Sequence, residues 1–99
     1  MNLHLFEEAK LLLRKTIPVA RRVLGRYDHT TLLMRSNYAI SLYDDDDATP
    51  DDLREAVTTL EDTERIAQRV LGGAHPTTRG VESALEGYRK ALQSAEGEA

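Results

Sequence analysis

The chain has 99 residues, a net charge of −4 and no cysteine, which suits one small domain and excludes a disulfide framework or a thiolate metal centre. The charge is uneven: residues 44–55 hold seven acids and one arginine, while the remainder holds twelve Lys/Arg against ten Asp/Glu. A nearly neutral body with one acidic knot lacks the basic stripe of a nucleic-acid binder, and the longest apolar run near the start, residues 11–13, can build neither a secretory signal nor a membrane span. Together with the missing cysteines, this points to a reducing, cytoplasmic setting.

No stretch alternates as a strand would, so four helices are expected. The first covers about residues 3–24 and stops at Gly25, where a left-handed residue is needed. It carries two apolar stripes. Phe6, Ala9, Leu13, Ile17, Ala20 and Leu24 form the one that packs on the rest of the chain. Leu5, Leu12, Val19 and Val23 form a second, worth about 1.5–3 kcal/mol per side chain when buried. That sum rivals the stability of a small domain. The second stripe is therefore expected to meet either another copy of the chain or further repeats N-terminal to it. Pro18 removes one hydrogen bond and crowds the carbonyl of residue 14, predicting a kink rather than a break.

The second helix covers about residues 31–43 and ends by Asp44, because the aspartates that follow oppose its dipole. Thr49-Pro50-Asp51-Asp52 supplies a capping hydroxyl, a first-turn proline and two first-turn carboxylates for the third helix, which ends before Gly72. The fourth opens at His75-Pro76-Thr77 and runs to about residue 94, so the domain spans residues 1–95 and a polar tail 96–99. Its single apolar stripe, Val81, Ala84, Leu85, Tyr88 and Leu92, suits the outer cap of a helical stack.

Shifting the chain by 47 positions aligns residues 8–31 with 55–78 at eleven identities, including Ala9 with Ala56, Thr16 with Thr63, "VLG" at 23–25 with "VLG" at 70–72, and Thr30-Thr31 with Thr77-Thr78. Chance gives roughly one or two, so this is an internal repeat.

The residues Phe6-Glu7-Glu8-Ala9, Arg22-Val23-Leu24-Gly25, Asp28-His29, Thr31-Leu32, Asn37-Tyr38-Ala39 and Leu42-Tyr43 resemble the tetratricopeptide repeat of the kinesin light chain type. The resemblance implies an all-α fold of antiparallel hairpins stacked as a short four-helix solenoid, with half-repeats at both ends. The period is five residues longer than the family's, and the excess falls in "DDDDATPDD", an insertion in an inter-helix turn. The resemblance also implies a concave groove for a protein or peptide partner, in which Asn37 pairs with a ligand backbone amide through its carboxamide. Leu33, Ser36 and Ile40 share that helical face. Leu33 and Ile40 are equally readable as core, and Arg35 as the groove's rim.

Other chemistries fit poorly. Read as a calcium loop from Asp44, the acidic stretch has Thr49 where the turn glycine belongs, then Pro50. His29 and His75 lie one per turn and read as turn caps, not zinc ligands. Ser36, Ser41 and Ser83 have no evident base, and Gly72-Gly73 is a helix stop, so no enzyme, metal or cofactor is expected. The expectation is a non-catalytic interaction scaffold, or a unit that self-associates through the first helix.

Overall fold

The computed structural model describes the backbone of residues 4–45 and 47–97, with side chains from Glu7 onward. These residues form four helices and no strand: α1 (His4–Val23), α2 (His29–Asp44), α3 (Pro50–Val70) and α4 (Pro76–Gly97). Each helix packs on its chain neighbours, and α2 also touches α4. The longest dimension is 37 Å, close to the roughly 33 Å of a 22-residue helix, so the helices lie side by side.

Cross-helix contacts fix their directions. Tyr38 with Glu55 and Arg35 with Asp62 make α2 and α3 antiparallel. Arg54 with Glu96, Arg89 with Glu61, and Gln68 with Glu82 do the same for α3 and α4. His29 with Thr77 and Tyr43 with Tyr88 make α2 and α4 parallel.

Local chemistry sets the ends. Gly25 and Gly72 have φ of 94° and 89°, the left-handed conformation that stops a helix at little cost only for glycine. Thr49 and Asp52 form a reciprocal capping box, with Pro50 in the first turn of α3. Asp28 caps α2 by accepting from the Thr30 N–H, so α2 starts two residues before the expected Thr31. The 47-residue shift is visible here: His75 Nδ1 accepts from the Thr77 N–H at the equivalent positions. A histidine thus does for α4 what an aspartate does for α2.

The core has two parts. The larger joins Tyr38, Ala39 and Leu42 of α2 to Ala56, Val57 and Leu60 of α3 and Val81 and Leu85 of α4, with Leu13 and Ile17 of α1 against it. The smaller joins Leu32 to Ile66 and Ala67. Ala20 is buried and Ala9 partly so. Leu24, expected on the packed stripe, is half exposed because α1 ends at Val23 and the chain turns away. Pro18 lies inside α1 without dividing it.

Two boundaries differ from expectation. The acidic link 45–49 is no longer than the links 24–28 and 71–75, because Pro50, Asp51 and Asp52 lie in the first turn of α3 and not in the link. The fourth helix extends to Gly97, and Glu96, expected in a polar tail, accepts from Arg54 Nε at 3.1 Å.

Candidate functional site

Leu33, Ser36, Asn37 and Ile40 follow the i, i+3, i+4, i+7 spacing of one helical face, and all four line a single open cleft of about 260 Å³ between α2 and α4. The opposite wall is Thr77, Gly80, Val81 and Ala84 at the same spacing, and Leu60 of α3 forms the floor. None of these residues is charged. Leu33 and Ile40 are 43% and 39% exposed, which removes the alternative that they are core. Small side chains on α4 keep the cleft open: a Cβ built on Gly80 meets nothing within 4 Å.

Two clamps hold α2 and α4 on either side of this cleft. At the start of both helices, Thr77 Oγ1 lies 2.9 Å from His29 Nε2 while its backbone N–H donates to His75 Nδ1. The two imidazoles meet edge to face at 5.4 Å. His75 is a cap as expected; His29 is not, and instead bridges to α4. Toward the other end, Tyr43 and Tyr88 stack at 3.9 Å between centroids, with planes 8° apart. Burial, followed by the charge of Asp44 and the proximity of Tyr43, pushes the Tyr88 phenol up to about 12. Neither clamp was evident in the sequence, although the repeat does equate the two turns that carry the histidines.

Asn37 is exposed at the cleft, and its backbone carbonyl accepts from Ser41 Oγ at 2.9 Å. Ser36 Oγ is buried and has no hydrogen-bond partner among the described residues. Arg35 is not the rim. Its side chain turns to α3 and bonds Asp62 Oδ2 at 2.8 Å.

The other face of α1 is open. Leu12 and Val23 are 65% and 71% exposed, and Val19 and Leu11 are exposed beside them. Leu5, assigned to the same stripe, lies outside the residues whose side chains are described. The covered face of α1 is tied to α2 by polar contacts as well as apolar ones. Arg14 Nε donates to the Tyr38 hydroxyl at 2.9 Å, and that hydroxyl donates to Glu55. Burial, then the hydrogen bond to Glu55, pushes the Tyr38 phenol up. Arg14 is therefore part of the contact between α1 and α2.

The aspartate run is spread over separate tasks. Asp44 ends α2, Asp45 pairs with Lys10, Asp51 pairs with Arg54 and Asp52 completes the α3 cap. Asp46 lies outside the described residues. No helix among the described residues is long and apolar enough to cross a membrane. In comparisons with known proteins, no family model, no curated protein and no solved structure matches the chain.

Proposed function

We propose that this chain is a non-catalytic interaction module, a short tetratricopeptide-like stack whose α2–α4 cleft receives a peptide segment with apolar side chains. The observation that carries this reading is the uncharged cleft itself, with half-exposed Leu33 and Ile40 facing the small residues Gly80 and Ala84. Exposed apolar groups beside unpaired polar ones are the usual makeup of a recognition groove. Asn37 then reads the peptide backbone through its exposed carboxamide. The stack reading draws support from the parallel run of α2 and α4 and from the matching caps at Asp28 and His75. A cytoplasmic scaffold is the setting this role suits. Selection of displayed peptides against the native chain, followed by affinity measurement on Asn37→Ala and Leu33→Glu, tests it. Unchanged affinity in both variants would remove the cleft from the binding site.

A second reading rests on the exposed stripe of α1. Leu12, Val19 and Val23 are open to solvent along one face, and the occupant that fits is a second copy running antiparallel. The helix carries Glu7 and Glu8 near its start and Arg21 and Arg22 near its end. Antiparallel pairing with the axis at residue 15 sets Glu8 against Arg22 of the partner and brings Leu12 within one position of Val19, twice over by symmetry. Parallel pairing sets like charges together. The solution mass decides: a monomer at every concentration excludes this reading and leaves the cleft reading untouched.

A further inference from the structure

A second concavity, of about 660 Å³, lies between the α1–α2 link and α3, and it shares no residue with the α2–α4 cleft. Arg26 and Tyr27 of the link form one side, and Asp62, Arg65, Gln68 and Arg69 of α3 form the other. Asp62 is the one acid in this wall, and it is already claimed. Its Oδ2 accepts from Arg35 at 2.8 Å, while its Oδ1 lies 3.3 Å from Arg65 and 3.9 Å from Arg26. Arg69 makes no ion pair among the described residues, and Arg35 reaches Asp62 from outside the concavity. Burial alone would raise the Asp62 carboxyl, but the arginines hold it below the usual aspartate range, so it stays ionised. One carboxylate cannot satisfy four guanidinium groups, each a fork of five N–H donors.

The surplus has a defined shape. Arg65 and Arg69 stand one helical turn apart on α3, with Arg26 across from them beside the Tyr27 ring, 5.4 Å from guanidinium to ring centre. Cations held at this spacing in a concave wall reinforce each other's attraction for an anion with several oxygens. We propose that this concavity is a binding site for a diphosphate-class oxyanion, with Arg65 and Arg69 gripping one end and Arg26 the other. Gln68 adds a neutral amide donor, although its Nε2 also reaches Glu82 at 3.0 Å. Asp62 serves as the counter-charge that keeps the arginines aligned when the site is empty.

The test is a titration of the native chain with inorganic pyrophosphate at constant ionic strength, followed by backbone amide chemical shifts. Saturable changes are expected at residues 26, 27, 65, 68 and 69. Arg69→Ala removes a side chain with no ion pair or side-chain hydrogen bond among the described residues, and it should weaken binding about tenfold, the loss of one charge-assisted hydrogen bond. Lys90→Ala removes the same charge from α4, away from the site, and should leave the affinity within about twofold. Shifts that never saturate, an equal loss in the two variants, or inorganic phosphate binding as tightly as pyrophosphate would each overturn the proposal.

Discussion

Lys10 Nζ and Asp45 Oδ2 lie 2.8 Å apart, with the two side chains 11% and 8% exposed. This pair joins the beginning of α1 to the end of α2. It explains why an aspartate from a run of four turns inward. Asp45 also accepts from the Asp47 N–H at 2.9 Å, and Lys10 bonds Glu7 at 2.9 Å. A charge removed from water needs a partner and further hydrogen bonds, and both groups have them.

The pair predicts a pH-dependent role. Lys10 and the Asp47 N–H hold the Asp45 carboxyl below its ordinary value of 3.8, so the stability it contributes is present above that value and lost as pH falls through the lower folded one. Asp45, then Glu7, holds Lys10 above 10.5, so its share is present below 10.5 and lost as pH rises further. Asp45→Asn should therefore lower the thermal midpoint by several degrees between roughly pH 5 and 9. The gap to the native chain should narrow as pH falls below 3.8 and close once it has passed the lower folded value, where both proteins lack the charge. Circular dichroism melts at neutral and acid pH measure it, and a gap of equal size at both would contradict the assignment.

What the sequence revealed follows from what repeats. Helix spacing, the glycine stops and the Thr49 cap are local signals, and each is found where the residues place it. The face holding Leu33, Ser36, Asn37 and Ile40 was also legible, because one helix fixes which side chains share a side. Its opposite wall was not. Gly80 looks like a weak spot in a helix, and Ala84 like one more member of the apolar stripe, until α2 is laid alongside. Lys10 with Asp45, and His29 with Thr77, join residues 35 and 48 apart in the chain without any periodic mark. Arg35 misled because its position was judged from the resemblance, whereas the carboxylate of Asp62 decides where it turns.

Gly80 separates binding from folding. It sits within α4, exposed, with open space where a Cβ would be. Glycine inside a helix costs about 1 kcal/mol relative to good helix formers. Gly80→Leu should thus raise stability by up to about 1 kcal/mol while its side chain fills the cleft opposite Leu33. Peptide affinity should fall about tenfold or more. A variant that melts higher and binds as well as the native chain would place the peptide elsewhere.

The antiparallel pairing of α1 makes a reciprocal prediction. Glu8→Arg or Arg22→Glu alone should weaken a dimer, since each sets like charges together at two symmetric points. The double variant restores both pairs and should recover most of the affinity. Sedimentation equilibrium of the four proteins measures the cycle. Additive losses in the double variant would exclude this register, and Leu12→Glu should abolish the dimer in any register that buries the stripe.

Three threonines, Thr31, Thr63 and Thr78, are completely buried, yet their hydroxyls fare differently. Thr63 Oγ1 donates back to the Thr59 carbonyl at 2.7 Å, as Thr16 does to Leu12 at the equivalent point of the repeat. Thr31 and Thr78, themselves repeat equivalents, have hydroxyls with no partner among the described residues. A buried hydroxyl without a hydrogen bond costs about 1–3 kcal/mol, while valine keeps nearly the same shape and the same branching at Cβ. Thr78→Val should accordingly stabilise the chain by about 1 kcal/mol, a rise of about 4–8 °C for a domain of this size. Thr63→Val gives up a satisfied bond and should leave stability unchanged or lower it slightly. Urea unfolding of the two variants beside the native chain compares the signs directly. A loss in both would mean that the Thr78 hydroxyl is paired in solution, so that valine removes a met hydrogen bond there as it does at Thr63.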